Sequence, residues 1–376
     1  MNSELTLMSY FADVNDPRRE QGKRHLLSDI LALTICGVLS GANTWVEIEE
    51  YGESKQDWLA TFLELPHGIP SHDTLSDVFA RLNPTELEQG FQRWVSSLAT
   101  AMSAKHIQID GKVMRGSGDS QRGKPPLHVV SAWVGSAQLL LGQVKTDAKS
   151  NEITAIPKLL KLLLVEGCLV TIDAMGMQTE IATQIVAQGG DYLLAVKGNH
   201  KTVLQDLEDL FAGCDAVQFA DVPHDYTQTA EKGHGRIEIR RCWTLSDPDY
   251  LAYLRRHAQW TALTTVVRIV RERRSGHQSS HETAYFISSR SASASTFLDA
   301  VRRHWSIENQ LHWSLDVTFR EDLNQTRVGF APENLALFRR LALLLLKRET
   351  SVHVGLQAKR LRAGWNNDYL LKVLCS

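Results

Sequence analysis

Apolar residues in the first hundred positions recur at helical spacing. They return every three or four residues across Ile30–Leu39 and again across Leu75–Leu82, which predicts helices that each bury one face. The segments 66–70 and 83–84 contain Pro, Gly and Asn and indicate turns between these helices. We therefore predict a small helical N-terminal domain over residues 1–100.

Local signals suggest where two of these helices begin. The apolar run Leu26–Ala42 predicts a buried helix with Ser28 or Asp29 near its N-cap. Ser71 or Asp73 is expected to cap the helix at 74–82. A helical domain of this kind is compatible with either a helix-turn-helix DNA reader or a dimerisation unit, and the pattern does not separate the two.

The period changes after residue 105. Alternation predicts a strand at 106–110, and a helix with Ser150 at its N-cap follows three predicted strands. The predicted elements are, in order, strands at 106–110, 127–134 and 137–145, a helix from 150, a strand at 168–173, a helix at 178–188 and a strand at 191–197. This β-β-β-α-β-α-β order is typical of an RNase H-like fold. A dinucleotide-binding fold would instead begin β-α-β with a Gly-rich turn, which is absent here.

The later part of the chain has a different pattern. Residues 236–245 and 260–271 are basic and strand-like, whereas helical spacing resumes at 295–315 and 334–346. We expect an α/β protein with four parts. They are the helical domain at 1–100, a first part of an RNase H-like core at 101–211, a β-rich insertion at 212–286, and a second part of the core with C-terminal helices at 287–376.

Charge is unevenly distributed along the chain. The 376 residues carry 41 Lys+Arg and 43 Asp+Glu, a formal net charge of −2. Residues 1–105 hold 8 basic and 15 acidic residues, whereas residues 211–376 hold 23 and 17. The segment 232–274 is the most basic, with 10 basic and 4 acidic residues. This asymmetry favours an anionic partner for the later part, although a solvated charged hairpin would give the same count.

Cysteine usage and the N-terminal segment exclude several classes of protein. The five cysteines are scattered and form no CxxC pair, which disfavours a disulfide framework and a thiolate zinc ribbon. The first 25 residues contain four acidic residues and do not resemble a signal peptide. We expect a cytoplasmic protein.

Two aspartates stand at the ends of predicted strands. Asp110 ends the first strand and Asp173 ends the fourth, and these strands are neighbours in an RNase H-like sheet. Two carboxylates so close repel each other unless a cation lies between them. The alternative is that each is an ordinary turn residue, since Asp-Gly is a common turn signal.

Glu308 interrupts an apolar helix face. Phe297, Val301, Leu311 and Leu315 share this face, so we expect Glu308 to point inward at the sheet. A buried carboxylate needs a partner, and a metal shared with Asp110 and Asp173 would supply one.

Two alternatives to that shared metal are considered. Arg302 or Arg303 could pair with the Glu308 carboxylate instead. A zinc site made by His304, Glu308 and His312 on one helix is also conceivable, although it lacks the HExxH spacing.

Five ordered motifs carry a resemblance to a known family. They are Ile-Asp110-Gly-Lys112, Thr-Ile-Asp173-Ala-Met-Gly-Met-Gln178, Ala-Val-Lys197-Gly-Asn199, His234-Gly-Arg236-Ile-Glu238-Ile-Arg240 and His304-Trp-Ser-Ile-Glu308-Asn-Gln-Leu-His312-Trp. In this order they resemble the ISAs-type insertion-sequence transposases, including the H-repeat-associated proteins linked to Rhs elements. The resemblance covers nearly the whole chain.

The resemblance implies a DDE transposase with an RNase H-like core and a β-rich insertion before the catalytic Glu. It implies Asp110, Asp173 and Glu308 as catalytic, metal-binding acids. The expected cofactor is Mg²⁺, with Mn²⁺ as a substitute. Where related families carry a Tyr, an Arg and a Lys around the Glu, this chain has Val301, His304 and Leu315.

The expected partner is double-stranded DNA, as the terminal repeats of the element and as target DNA, bound by a homodimer. Basic residues beside the motifs are candidate phosphate contacts, namely Lys112, Lys197, Arg236, Arg240 and Arg241. Arg236 and Glu238 could instead pair with each other across the hairpin. Two other functions stay open, a metal-dependent nuclease without strand transfer and a degenerate transposase retained as a DNA-binding protein.

Overall fold

The protein is described by a computed structural model that covers residues 6–99, 105–146, 152–233, 235–275 and 278–376. One mixed sheet of nine strands forms its centre. The strands are β1 (His106–Met114), β2 (Leu127–Val134), β3 (Leu139–Lys145), β4 (Leu169–Ile172), β5 (Asp191–Val196), β6 (Asp225–Gly233), β7 (Arg236–Leu245), β8 (Thr265–Ser275) and β9 (Gln278–Ser288). Their order across the sheet is β3-β2-β1-β4-β5-β9-β8-β7-β6.

Helices cover both faces of this sheet and fill the N-terminal region. They are α1 (Thr6–Ser9), α2 (Leu27–Leu39), α3 (Trp45–Ser54), α4 (Gln56–Leu59), α5 (His72–Arg81), α6 (Pro84–Ala99), α7 (Glu152–Leu160), α8 (Thr179–Ala187), α9 (Lys201–Ala216), α10 (Pro248–Leu251), α11 (Ala294–His304), α12 (Trp313–Val317), α13 (Ala331–Arg348), α14 (Leu356–Trp365) and α15 (Asn367–Leu374). A π-helical turn, Ile307–His312, lies between α11 and α12.

The first five strands confirm the predicted RNase H-like core. β2 pairs antiparallel with β1 and β3, whereas β1, β4 and β5 are mutually parallel. β4 is buried along its whole length, as parallel strands covered on both faces are expected to be. Ser150, the predicted cap of the helix that follows β3, lies outside the described residues.

The basic segment after α9 adds four strands to this sheet. β9 pairs antiparallel with β5, and β8, β7 and β6 follow outward as antiparallel neighbours. The expected limits of the insertion fall inside regular elements, since residue 212 belongs to α9 and residue 286 to β9. The division of the chain into four parts remains a proposal.

The N-terminal helices share one apolar core with α13. Buried side chains of α2, α5 and α6 form one cluster with most of α13, including Phe79 and Phe338, whose rings lie 5.1 Å apart. The buried Asn334 amide of α13 also donates to the carbonyl oxygens of Phe79, at 2.8 Å, and Leu82, at 3.0 Å. The helical region is therefore packed against the C-terminal part of the chain.

The observed N-caps of α5 and α2 can be compared with the predicted ones. Ser71 caps α5 by accepting a hydrogen bond from the Thr74 backbone, as predicted. Ser28 and Asp29 lie in the first turn of α2, near its N-cap as predicted, but Leu26 occupies the N-cap itself and no side chain caps it. Asp29 lies buried in the first turn and accepts a hydrogen bond from the Leu65 backbone N–H at 2.8 Å, which ties α2 to the loop after α4.

The five cysteines are all free thiols, four buried and one, Cys375, exposed. Among the described helices, none combines the length and the apolar character needed to cross a bilayer.

We expect Glu88 to make stability depend on pH. Its carboxylate, partly buried between α6 and β3, accepts hydrogen bonds from Gln92 Nε2 at 3.1 Å and from the Gln143 backbone N–H at 3.4 Å. Burial nevertheless raises the pKa of Glu88 to about 7 from 4.5. The folded state therefore binds this proton more tightly than the unfolded state, and the associated stability is lost as pH rises from about 4.5 through 7.

Glu88→Gln should therefore stabilise the protein at pH 8, by about 1–2 kcal/mol, with the gain fading toward pH 5. Thermal unfolding of both proteins between pH 5 and 8 measures this. The exposed Glu64→Gln serves as the control and should show no such trend. A gain independent of pH would contradict the assignment to Glu88.

Candidate active site

Asp110 and Asp173 lie side by side because their strands are parallel neighbours. The register pairs Ile109 of β1 with Ile172 of β4, so each aspartate follows a paired residue. Asp173 ends its strand as expected, and its Oδ1 accepts a hydrogen bond from the Met175 backbone N–H at 2.9 Å. Asp110 does not end β1, which continues to Met114 through pairing with β2. It stands at the point where β1 leaves β4.

Glu308 does not point into the core, and that prediction is wrong. Its side chain is 55% exposed, whereas Ile307 and Leu311 are buried. The reason is the π-helical turn, whose wider winding breaks the regular helical spacing that the prediction assumed. The turn places Glu308 at the rim of the sheet, beside Asp110.

The structure supports neither of the two alternative partners considered for Glu308, an arginine or a zinc ion. Arg302 pairs with Glu231 at 2.7 Å and Arg303 pairs with Asp299 at 2.7 Å. His304 turns toward the sheet, where its Nδ1 lies 3.0 Å from Thr171 Oγ1. The zinc site of His304, Glu308 and His312 on one helix is therefore not assembled.

A different trio does come together at the rim. Asp110, Glu308 and His312 each offer a ligand atom, and these atoms all lie within 4.8 Å of one another. His312 Nδ1 is 3.0 Å from Glu308 Oε2 and 3.7 Å from Asp110 Oδ2. Within the described residues, Asp173 is not part of this trio. It does line one cavity together with Asp110 and Glu308.

That cavity brings the three predicted acids together. Its volume is about 280 Å³, and its walls include Asp110, Asp173, Glu308 and Lys197. Lys197, just after β5, is exposed, and its positive charge partly opposes the rise in the pKa of the Asp173 carboxyl that burial causes. The cavity thus contains carboxylates from three separate segments and one lysine.

Burial and neighbouring acids disfavour the ionised form of the two aspartates. Burial raises the pKa of Asp110 to about 6, with the neighbouring Asp173 and Glu152 adding to the effect and His312 opposing it. Burial, and then the charge of Glu152, raises the pKa of Asp173 as well. The hydrogen bond from His312 lowers the pKa of Glu308. Ionised carboxylates this close together repel one another, and a divalent cation bound between their oxygen atoms would offset that repulsion.

Sequence reasoning missed Glu152, a fourth acid next to the site. It begins α7 and pairs with His128 of β2, Oε1 to Nε2, at 3.1 Å. A Cβ at Gly111 would overlap both of these side chains. Gly111 is therefore required by the space that this pair occupies, and the Asp-Gly dipeptide is not a turn here.

Lys112 is buried in ion pairs, which argues against its predicted contact with DNA. Its side chain is only 6% exposed, and its ammonium lies 2.6 Å from Asp316 and 3.2 Å from Asp322. The fully buried Glu321 lies 3.9 Å away and bonds to Arg340 on its other side at 2.8 Å. Lys112 therefore anchors the segment after the π-helical turn to β1.

The predicted arginines of β7 lie on two faces of the sheet. Alternation along the strand places Arg236 and Arg240 on one face and Arg241 on the other. Arg236 pairs with Glu238 at 2.7 Å, Arg240 pairs with Glu238 and Glu231, and Arg241 pairs with Glu272 at 3.2 Å. His234, which belongs to the same motif, lies outside the described residues.

A second cavity extends from the acidic one along this sheet. Its volume is about 540 Å³, and it shares four lining residues with the first, Arg271, Glu282, Val301 and Trp305. Five arginines line it. Arg236 and Arg240 were predicted as phosphate contacts, whereas Arg271, Arg273 and Arg302 were not. We call this the arginine groove. Strand alternation in β8 could have indicated Arg271 and Arg273 from the sequence.

Comparisons with known proteins assign this arrangement to a family. Residues 101–345 match the family model described as the transposase DDE domain, and residues 8–95 match the model of its associated N-terminal domain. The chain therefore belongs to the DDE transposase family. That family places it among DNA-cleaving enzymes that use a divalent metal ion, and the carboxylate donors of the cavity fit such an ion.

Curated relatives agree with this family. The chain is 38% identical to the H repeat-associated putative transposase YhhI of Escherichia coli K12, over 98% of this chain and 97% of the relative. It is 37% identical to the putative transposase YncI of Escherichia coli O157:H7, over 99% and 95%. The structure of the piggyBac transposase synaptic complex with hairpin DNA has a TM-score of 0.41 and 9% identity, over 96% of this chain and 75% of that one.

Proposed function

We propose that this transposase cuts DNA at the ends of its insertion sequence and joins the freed ends to target DNA, with Asp110, Asp173 and Glu308 as the catalytic acids. One observation carries the proposal. Acids from β1, from the end of β4 and from the π-helical turn line a single cavity, although they are 63 and 135 positions apart in the chain.

The proposed cofactor is Mg²⁺, with Mn²⁺ as a substitute, because the predicted ligands are hard carboxylate oxygens. Asp110 is the central acid, since it lies beside both Glu308 and Asp173. Asp110 would contribute an oxygen to both of two ions, whereas Asp173 and Glu308 would hold one ion each. Held there, the metal would help to activate a nucleophile and to stabilise the leaving oxygen of an in-line displacement.

The protein's own residues hold DNA for two successive displacements. In the first, water attacks a phosphorus atom at the element end and a 3′-hydroxyl leaves. In the second, that hydroxyl attacks a target phosphorus atom and a target 3′-hydroxyl leaves. Lys197, exposed on the cavity wall beside Asp173, is placed to contact the reacting strand's phosphate.

A strand-transfer assay tests the function. The full chain, Mg²⁺, a duplex carrying an end of the element and a supercoiled target plasmid should give both nicked ends and joined products. Cleavage without joining would make the protein a nuclease. Binding without cleavage in Mg²⁺ or Mn²⁺ would make it a DNA-binding protein that has lost its activity.

The arginine groove is the proposed path of the duplex away from the acids. Arg273 and Arg274 are neighbours on β8 with nearly equal exposure, 56% and 55%, but alternation places only Arg273 in the groove. Arg273→Gln should therefore reduce the slope of log affinity against log salt by about 1, the contribution of one phosphate contact.

Arg274→Gln is the matched control and should leave this slope unchanged. Fluorescence anisotropy of a labelled element-end duplex between 50 and 200 mM salt measures both, a range in which phosphate contacts change affinity by orders of magnitude. Equal effects of the two substitutions would remove the groove from the path of DNA. An effect of Arg274→Gln alone would instead favour the face that carries Arg241.

The proposal extends to the oligomeric state and the cellular location of the protein. Bringing two element ends together requires two active sites in one complex, so we propose a homodimer on DNA. We place its activity in the bacterial cytoplasm, at the nucleoid, where the substrate is found.

A further inference from the structure

His312 occupies the space between two proposed metal ligands, and no part of the mechanism above uses it. We propose that His312 is a positioning residue that holds the Glu308 carboxylate toward Asp110 through a hydrogen bond donated by its Nδ1. The proposal rests on the assignment of Asp110 and Glu308 to the metal site.

Glu308 needs such a support because it stands on the rim. More than half of its side chain is exposed, whereas that of His312 is only 4% exposed. Among the described residues, His312 is the one side chain that hydrogen-bonds to the Glu308 carboxylate. The rigid, enclosed imidazole therefore restricts a carboxylate that would otherwise sample several rotamers in water.

The surroundings of the ring indicate which nitrogen carries the proton. Nδ1 faces two carboxylates, which can only accept hydrogen bonds when ionised, so Nδ1 is the donor. Nε2 is buried and has no hydrogen-bond partner in the described part of the chain. This suits a bare lone pair better than an N–H group, because orphaned buried N–H groups are rare.

This tautomer makes His312 a support for the ligands and not a ligand itself. A protonated Nδ1 has no lone pair for a metal ion, and histidine ligands usually donate their second N–H to an acceptor, which Nε2 lacks here. The π-helical turn contributes by placing His312 inward and Glu308 at the rim within the same six residues.

Two substitutions separate the donor from the bulk of the ring. In His312→Asn the side-chain amide nitrogen takes the place of Nδ1 and keeps the donor, whereas His312→Leu fills the buried space without one. Mn²⁺ binding to the full chain, measured by calorimetry without DNA, should weaken about 10–100-fold in His312→Leu. His312→Asn should restore most of the affinity. Unchanged affinity in His312→Leu, or equal loss in both variants, would overturn the proposal.

Pulsed electron paramagnetic resonance of bound Mn²⁺ provides a second test. No directly coordinated nitrogen should be seen in the wild-type protein, and a strong ¹⁴N coupling that His312→Leu removes would make His312 a ligand. Asp110→Asn shows whether the metal site itself is correct. If Asp110→Asn abolishes Mn²⁺ binding and His312→Leu does not weaken it, only the role of His312 fails.

Discussion

Asp110→Asn, Asp173→Asn and Glu308→Gln should each reduce metal-dependent cleavage of element-end DNA by at least about 10³-fold. Each change removes a charge that holds the metal ion, and metal stabilisation of the transition state is worth several kcal/mol, with about 1.4 kcal/mol for each factor of ten. A gel assay of strand cleavage in Mg²⁺ and in Mn²⁺ measures the loss, and circular dichroism checks that the fold is retained.

Glu282 offers a matched control for these acids. It also lines the cavity, but its carboxylate is mostly exposed and pairs with Arg271 at 3.6 Å. Glu282→Gln should therefore leave cleavage within about threefold of wild type, well under the effect of one lost catalytic charge. Full activity in any of the three acid variants would remove that residue from the proposed site.

Lys112→Met should destabilise the fold by about 3–5 kcal/mol, the typical result of removing one partner from a buried ion pair. The substitution leaves Glu321 fully buried with Arg340 alone, and Asp316 and Asp322 with no ammonium between them. Equilibrium unfolding in urea measures the change in the free energy of unfolding.

Lys145→Met is the control for this loss, since Lys145 forms a partly exposed pair with Glu333 at 3.2 Å. That pair is worth about 0–1 kcal/mol. The loss in the free energy of unfolding should therefore be several-fold larger for Lys112→Met than for Lys145→Met. If Lys112→Met kept full stability but lost affinity for DNA, the original prediction of a phosphate contact would be restored.

The RNase H-like core was predictable because its signals are local. Strand alternation and turn residues located β2 at its observed limits, 127–134, and identified β7 at 236–245. Asp110 and Asp173 could be paired because parallel neighbours bring their ends together. No long-range information was needed for these inferences.

Three features were out of reach, one because a helix departs from regular winding and two because they depend on contacts between distant segments. The surroundings of Glu308 follow from a π-helical turn, and periodicity assumes regular winding. The ion pairs of Lys112 join residues more than 200 positions apart. The pairing of β9 with β5 depends on the return of the chain after three further strands.

That last pairing has a mechanical consequence. Because β5, β9, β8 and β7 are hydrogen-bonded in one sheet, the arginine groove and the acids share a continuous framework without a linker between them. We therefore expect DNA bound in the groove to be held at a fixed distance from the acids, because both sites lie on one sheet.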